Sequence, residues 1–299
     1  MNPPHPPAAV DISRDFIRAK KPCAGGFRWF LQRYRTGGNY QELLDALVAD
    51  GRVSDACWLM DQFGPTDAVL TLDAIEAEAL VFAGSIELRG GADVNGILRA
   101  GRSIRAGGGL RVGEALIAGA DLRVEGGVRA DGGISVGGDI RIGWSIEAEG
   151  DLVAGGEIRV GQDLRSSGAL AAAGNITVGQ DVAVTGAVRC ARGIRIGGDL
   201  ISGEGIRADN GIEAAGEVQC SLHLEAGWGI RAGGSIVAEG SIRAGESIDA
   251  GDAIRAGFGY GIFAGLDVRT DAWESSARVR SRTRPQGLMS GCWEEAGVS

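Results

Sequence analysis

The 299-residue sequence is poor in histidine, lysine, proline and aromatic residues. It contains 2 His, 7 Pro and 5% aromatic residues, and Lys20 and Lys21 are its only lysines among 30 basic residues. Few histidines are therefore available for a catalytic or metal site. His5 lies in a Pro-rich opening segment and His223 lies at a corner of the repeat described below, and we expect neither to be catalytic.

Long apolar runs and export signals are also lacking. No uninterrupted apolar stretch approaches the roughly 18 residues of a transmembrane helix. The opening residues have neither the basic nor the apolar region of a signal peptide. The 5 cysteines are an odd number without a CxxC motif, which favours free thiols in a reducing compartment. We therefore predict a cytoplasmic protein without a membrane span.

Glycine is abundant, with 52 residues, of which 43 lie within residues 67–266. In this segment an aliphatic residue recurs every six positions from Leu98 to Ile254, and all 27 of these positions hold Leu, Ile or Val. A small or β-branched residue follows two positions later, and a corner rich in Gly and Asp completes the hexad. Each hexad thus predicts a short strand with two inward side chains. At the corners we expect glycine to supply positive φ angles.

The hexads themselves repeat with a longer period. The hexads that begin at Ile140, Ile158, Ile176 and Ile194 are every third hexad of the series and are more alike than adjacent hexads. Three hexads therefore make one turn of a three-sided parallel β-helix, or β-solenoid, and nine turns give a rod of about 45 Å. Residues 70–99 are expected to add one or two irregular turns. The small residue follows the aliphatic one, the reverse of left-handed hexapeptide helices, which predicts a right-handed solenoid.

The chain divides into four predicted segments. Residues 1–10 form a disordered start, and residues 11–66 form a small α-helical domain that stands alone or caps the first turn of the solenoid. Residues 67–266 form the solenoid, which makes the protein mainly β. Residues 267–299 form a strand-like tail, in which basic residues alternate with smaller ones. This alternation predicts an exposed, charged edge strand over Arg278, Arg280, Arg282 and Arg284.

Two stretches of the repeat carry a family resemblance. Residues 146–154 read Ile-Glu-Ala-Glu-Gly-Asp-Leu-Val-Ala, and residues 170–178 read Leu-Ala-Ala-Ala-Gly-Asn-Ile-Thr-Val. In this pattern about two thirds of the chain resembles the β-helical region of flagellar assembly protein A and the bactofilins. The resemblance implies a β-helical fold and, from the bactofilins, end-to-end polymerisation into membrane-associated scaffolds. Residues 11–63 are similar to an N-terminal segment of uncharacterised bacterial and prophage proteins.

The acidic excess of the chain belongs to the repeat, since residues 67–266 hold 17 basic and 27 acidic residues. This balance argues against direct binding of nucleic acid and favours solubility or a basic partner. We predict a non-enzymatic scaffold or protein–protein interaction protein that forms homo-oligomers and uses no cofactor, metal or small-molecule substrate. One alternative is an acidic solenoid inhibitor that mimics nucleic acid or blocks a basic partner. The other is a hexapeptide-type acyltransferase, which the missing histidine and the reversed residue order oppose.

The candidate interaction surface consists of an arginine column and two corner tryptophans, Trp144 and Trp228, whose exposure would mark an interface. The column recurs once per predicted turn, is interrupted by Thr177, and predicts side chains stacked about 4.8 Å apart. Its members are Arg105, Arg123, Arg141, Arg159 and Arg195. Two carboxylate columns are expected to neutralise it as weak surface ion pairs: Asp121, Asp139 and Glu157, then Asp163, Asp181, Asp199 and Glu217. The alternative is a docking face for an acidic segment or for phosphates. Cys190 and Cys220 are expected in the core.

Overall fold

The computed structural model describes residues 11–296, so the segment 1–10 that the sequence predicts to be disordered lies outside the described residues. The chain begins with a helical module, residues 11–64, in which β1 (Asp11–Ser13) pairs antiparallel with β2 (Gly37–Asn39). Its four helices are α1 (Arg14–Ala19), α2 (Ala24–Arg33), α3 (Tyr40–Ala49) and α4 (Val53–Phe63). Side-chain caps begin three of them: Ser13 accepts the N–H of Phe16, Cys23 accepts that of Gly26, and Asn39 accepts those of Gln41 and Glu42.

The remaining chain forms 36 short strands, β3 to β38. In chain order they are β3 Val69–Leu72, β4 Ile75–Ala77, β5 Leu80–Phe82, β6 Ser85–Leu88, β7 Ala92–Val94, β8 Leu98–Ala100, β9 Ile104–Ala106, β10 Leu110–Val112, β11 Leu116–Ala118, β12 Leu122–Val124, β13 Val128–Ala130, β14 Ile134–Val136, β15 Ile140–Ile142, β16 Ile146–Ala148, β17 Leu152–Ala154, β18 Ile158–Val160, β19 Leu164–Ser166, β20 Leu170–Ala172, β21 Ile176–Val178, β22 Val182–Val184, β23 Val188–Cys190, β24 Ile194–Ile196, β25 Leu200–Ser202, β26 Ile206–Ala208, β27 Ile212–Ala214, β28 Val218–Cys220, β29 Leu224–Ala226, β30 Ile230–Ala232, β31 Ile236–Ala238, β32 Ile242–Ala244, β33 Ile248–Ala250, β34 Ile254–Ala256, β35 Ile262–Phe263, β36 Arg278–Ser281, β37 Leu288–Ser290 and β38 Cys292–Glu295. A 3₁₀ turn (Thr270–Ala272) and α5 (Trp273–Ser276) precede β36.

These strands form three parallel sheets that wind as a β-solenoid, as the sequence predicts. Sheet 1 has 13 strands and runs from β3 to β38, sheet 2 has 11 and runs from β4 to β34, and sheet 3 has 12 and runs from β5 to β37. Over most of the rod each strand pairs with the third strand before it and the third after it in the chain, so that Leu122 pairs with Ile140 and Arg123 with Arg141. Thirteen turns correspond to a rod of about 60 Å.

A single aliphatic column fills the interior. In the hexad strands β8 to β33 the first and third residues are buried and the middle one points outward; in β21, for example, Ile176 and Val178 are buried and Thr177 is exposed. The column extends from Ile75 to Val279, and Ser166 and Ser202 take inward positions within this range. It includes Cys190 and Cys220, so both cysteines lie in the core as expected. Because each side chain stacks on its equivalents above and below, the column buries apolar surface continuously along the rod.

The corner glycines do not have the positive φ angles expected from the sequence. Positive φ angles occur at Gly259 and Gly265, but none of the corner glycines from Gly84 to Gly257 has one. The glycine after many strands is required by the close approach of successive turns instead. A Cβ on Gly161 would lie well under 3.0 Å from the carbonyl oxygen of Gly143, one turn earlier. The excess of glycine therefore reflects the spacing of the turns rather than left-handed backbone at the corners.

The helical module packs against the first strand of sheet 3. Val81 on β5 and Ala83 in the corner that follows it are buried in the core of the helical module rather than in the solenoid column. The side-chain amide of Gln41 donates to the Val81 carbonyl (3.1 Å) and accepts the N–H of Ala83 (2.9 Å). One side chain thus takes the place of a neighbouring strand at this edge, which satisfies backbone groups that would otherwise be buried without partners.

The C-terminal residues continue the solenoid beyond the last regular hexad. β36 lies between β33 and β38 in sheet 1, so it is an interior strand and not the exposed edge strand that the arginines predict. Val279 and Ser281 are buried, and Arg280 points outward, where it pairs with Glu294 (3.0 Å). The hexad phase is lost because the connections from β34 to β37 are longer, yet the strands still pair with the preceding turns.

Among residues 11–296, no helix combines the length and the apolar character needed to cross a membrane.

Candidate functional site

The arginine column lies on the outer face of sheet 1. Strand pairing stacks Arg105 on Arg123, Arg141 and Arg159, and Thr177 separates this stack from Arg195. Every member forms an ion pair with a carboxylate: Arg105 with Glu87 (3.5 Å), Arg123 with Glu125 (3.0 Å), Arg141 with Asp139 (2.8 Å), Arg159 with Glu157 (2.9 Å) and Arg195 with Glu213 (3.1 Å). The repulsion of stacked like charges is therefore offset locally, and exposed pairs of this kind contribute little to stability.

Of the seven corner carboxylates expected to neutralise the column, only Asp139 and Glu157 pair with it within the described residues. Asp163 pairs with Arg165 instead, because its column lies on a different corner. The corner carboxylates also bond to the backbone. They occupy the residue directly before a strand, which we call the pre-strand position. The N–H of Asp139 donates to Asp121 Oδ1 (3.0 Å), and the N–H of Glu157 donates to Asp139 Oδ1 (2.8 Å). Each carboxylate thus accepts a backbone proton from the equivalent residue one turn later, a charge-assisted bond that ties successive turns together.

The same ladder runs along the corner before sheet 2. Asp163, Asp181 and Asp199 accept the N–H of the acidic residue one turn on, at 3.2, 2.9 and 2.7 Å, and the last donor is Glu217. A Cβ on Gly198 would collide with the Asp181 side chain. The recurrent Gly-Asp dipeptide therefore has a physical cause, because the glycine of one turn leaves room for the carboxylate of the turn before.

His223 belongs to the third corner and follows the same rule. Its Nδ1 accepts the N–H of Ser241 (3.0 Å) one turn later and lies 3.1 Å from the Ser241 Oγ. Tyr260 packs edge-on against its ring. The histidine takes the place that aspartate holds at the other two corners, so the serine–histidine contact has a structural explanation. Within the described part of the chain, no group of three His, Cys, Asp or Glu residues is placed to hold a metal.

The two corner tryptophans are exposed and lie on different corners. Trp144 is 64% exposed at the corner before sheet 2, and Trp228 is 55% exposed at the corner before sheet 1. Trp228 lines a depression of about 580 Å³ that also includes Arg159 and Arg195 of the arginine column. The structure thus brings one tryptophan and part of the predicted column together, and it leaves Trp144, Arg105, Arg123 and Arg141 elsewhere on the surface.

The depression has a floor of glycine. The pre-strand residues before sheet 1 are Asp121, Asp139, Glu157 and Asn175 in four successive turns, and in the next three turns they are Gly193, Gly211 and Gly229. All three glycines line the depression, as does Thr177, which stands where neighbouring turns carry arginine. Sequence reasoning missed this site because it is created by shortened side chains. The signal available was the simultaneous break in the arginine and carboxylate columns.

A second, smaller cavity of about 190 Å³ lies inside the helical module. Its walls are apolar and include Trp29, Phe30 and Trp58, and Cys23 and Asp55 stand at its polar edge. The Cys23 Sγ caps α2 by accepting the N–H of Gly26 (3.2 Å). Arg52 forms an ion pair with Asp55 beside it.

The ends of the solenoid expose apolar side chains. At the N-terminal end, Val69 (54% exposed) and Leu72 (40%) lie on β3, the edge strand of sheet 1. At the C-terminal end, Phe258, Tyr260 and Met289 are exposed, and Met289 packs beside Gly261. We call these three residues the C-terminal patch. Sheet 2 ends nearby at β34, which has no further strand above it in the described chain.

The beginning of the chain is similar to a known protein family. Residues 1–64 match the family described as the YdhT N-terminal domain. The matched range covers the helical module that packs against β5 and does not extend into the solenoid. Neither a curated protein nor a solved structure matches the chain. The resemblance of the repeat to flagellar assembly protein A and the bactofilins finds no support among these matches and stays a prediction.

Proposed function

We propose that the protein is a non-enzymatic scaffold whose solenoids associate end to end with further copies of the same chain. The observation that carries the proposal is the state of the two ends. The helical module covers the β5 edge but leaves β3 exposed with Val69 and Leu72, and the C-terminal patch stands beside the last strand of sheet 2. Unpaired strand edges flanked by apolar side chains are templates for pairing with another chain.

Two features of the rod support an assembly role. Its strands are all parallel to their neighbours in the solenoid, so a second copy placed at one end can extend a sheet in the same sense. The arginines on the outer face of sheet 1 form ion pairs within and between turns, which lowers the charge of that face, and exposed apolar side chains are found at both ends of the rod. A cytoplasmic location is part of the proposal, and the five free cysteines support it.

The test is sedimentation velocity and negative-stain microscopy of the full chain over a wide concentration range. We expect oligomers or filaments that grow with concentration. The double variant Val69→Lys with Leu72→Lys should shift the protein to monomer, as should Phe258→Ser with Met289→Ser, because charge or polarity on an edge disfavours strand addition. Trp144→Ser, on the side of the rod, is the matched control and should assemble normally. A monomer at all concentrations, or assembly that survives both end variants, would refute the proposal.

A second candidate is an acidic inhibitor of a basic partner, and one observation favours it. The corner before sheet 2 presents Asp163, Asp181, Asp199 and Glu217 on four successive turns. Three of these carboxylates already accept backbone protons, which reduces what they offer a partner. The test is salt-dependent binding of poly-lysine. Asp181→Asn with Glu217→Gln should weaken it more than Glu114→Gln with Glu239→Gln if this column is the docking face.

A further inference from the structure

The depression beside Trp228 is a built groove along the rod. Its walls are contributed by six successive turns, from Arg159 to Asp249, a distance of about 24 Å along the axis. Its volume of about 580 Å³ falls within the usual range for ligand sites. The groove is elongated parallel to the solenoid axis because its floor and both walls are columns of equivalent residues. An elongated ligand with a short repeat would fit it better than a compact one.

Charge in the groove is balanced. The lining includes three basic residues, Arg159, Arg195 and Arg231, and three acidic ones, Glu213, Glu246 and Asp249. A polyanion such as nucleic acid would meet as many repelling as attracting groups, whereas proteins that bind phosphate chains concentrate positive charge. The groove therefore favours a ligand without net charge.

Hydrogen-bonding capacity remains free in spite of this balance. Arg195 is held by Glu213 (3.1 Å), but Arg231 forms no ion pair and Asn210 makes no side-chain hydrogen bond with any residue in the range 11–296. Both line the groove on either side of Trp228 in the chain. Guanidinium and amide groups supply planar donors, and the carboxylates and the amide oxygen supply acceptors. Such a mixture suits a ligand whose groups both donate and accept.

We propose that this groove binds a neutral oligosaccharide that lies along the solenoid axis, with one sugar ring stacked on the exposed face of Trp228. A pyranose ring has an apolar face of C–H groups and a rim of hydroxyls, which matches an indole beside mixed donors and acceptors. An extended peptide fits less well, because the groove lies over a sheet face whose backbone groups are already paired between turns. A peptide usually gains its affinity from an open strand edge or from apolar side-chain pockets.

The floor allows a test that leaves the fold intact. The closest atom to a Cβ on Gly211 would be the Gly229 carbonyl oxygen at 3.3 Å, a tight contact that a shift of a few tenths of an ångström relieves, unlike the overlap under 3.0 Å at Gly161. Asn175 occupies the equivalent position two turns earlier. The substitution Gly211→Asn should therefore fold and place a side chain in the groove. Its matched control is Gly127→Asn, at the pre-strand position before sheet 2, where the closest atom would be 3.2 Å away.

The experiment is isothermal titration of the full-length protein with cellohexaose, chitohexaose and maltohexaose. We expect at least one of the three to bind. Trp228→Ala and Gly211→Asn should each weaken that binding about ten-fold or more, whereas Trp144→Ala and Gly127→Asn should leave it unchanged, with circular dichroism confirming that all variants fold.

Failure of all three sugars to bind, or binding that survives both groove variants, would overturn the proposal. Binding of poly-glutamate, inorganic polyphosphate or an extended neutral peptide that is lost in the same two variants would overturn it as well, because the groove would then serve another ligand class. The proposal does not depend on end-to-end assembly, since the groove lies on the side of the rod.

Discussion

The spacing of the turns can be tested with two glycines that differ in what surrounds them. Gly161 follows β18, and a Cβ there would overlap the Gly143 carbonyl oxygen of the preceding turn. Gly211 precedes β27, and a Cβ there would come no closer than 3.3 Å to any atom. Neither residue has a positive φ. The substitutions Gly161→Ala and Gly211→Ala therefore isolate the effect of close approach from that of backbone conformation.

The two substitutions should change the free energy of unfolding by different amounts. Gly161→Ala must push two successive turns apart locally. The hydrogen bond from the N–H of Gly161 to the Ile142 carbonyl (3.0 Å), which joins these turns, opposes that movement. Forcing extra volume into a packed site costs about 1–3 kcal/mol. At Gly211 the Gly229 carbonyl oxygen has to yield by only a few tenths of an ångström. The cost of that shift is offset by the restriction of the unfolded chain, which stabilises by about 0.4–1 kcal/mol, so Gly211→Ala should be close to neutral. The two variants should thus differ by about 1–3 kcal/mol.

The assay is equilibrium unfolding in urea followed by circular dichroism, with the midpoint and slope fitted for each variant. Segmental unfolding of a repeat protein would change the slope, so midpoints are compared only at equal slope. Equal stability of the two variants, or a more stable Gly161→Ala, would refute the idea that glycine is retained there because successive turns touch.

Three further predictions concern the core, a buried thiol and the covered edge. Ile176→Asp should destabilise by about 3–5 kcal/mol by placing an unpaired charge in the interior, whereas Thr177→Asp, whose neighbours above and below are arginines, should change the urea midpoint little; similar losses would contradict the inward assignment. Burial raises the pKa of the Cys220 thiol to about 11. Because that value lies above the unfolded one, stability should fall by about 2 kcal/mol as the pH rises from about 9 to about 11. Cys220→Ala should lose less over the same interval, and an identical pH profile would count against this. Gln41→Leu should cost about 1–3 kcal/mol by leaving the edge groups of β5 unbonded, measured against Gln41→Glu, which keeps one acceptor; no loss in either variant would argue that water replaces the amide.

The regular part of the solenoid was predictable because its determinants are local and repeated. All 27 hexad positions from Leu98 to Ile254 begin strands, β8 to β34. An inward aliphatic residue, an outward residue and a second inward residue specify a strand without reference to the rest of the chain. The likeness of every third hexad then fixes which strands pair, since only that register stacks like on like.

The two ends were less predictable because pairing there no longer follows the hexad. Leu70 pairs with Ile86 and Ile75 pairs with Ala92, and in both cases the separation along the chain falls short of three full hexads. At the other end, Ile248 pairs with Val279 across a long connection. The alternating arginines of the tail indicate a strand correctly but not its neighbours, and the neighbours decide whether a strand is an edge.

The surface follows a different logic from the core. Inward positions are constrained by packing, and corner positions such as Gly161 are constrained by the approach of the next turn. Outward residues of sheet 1 and the pre-strand residues are constrained by neither, which is why Arg159, Thr177 and Arg195 can share one column. Carboxylates in such a column accept backbone N–H groups of the next turn and so join successive turns. Glycines in such a column leave space for a groove. On this fold, a candidate functional site therefore shows in the sequence as an interruption of a surface column rather than as a motif. The groove beside Trp228 lies where the arginine column and the carboxylate column are interrupted in overlapping turns.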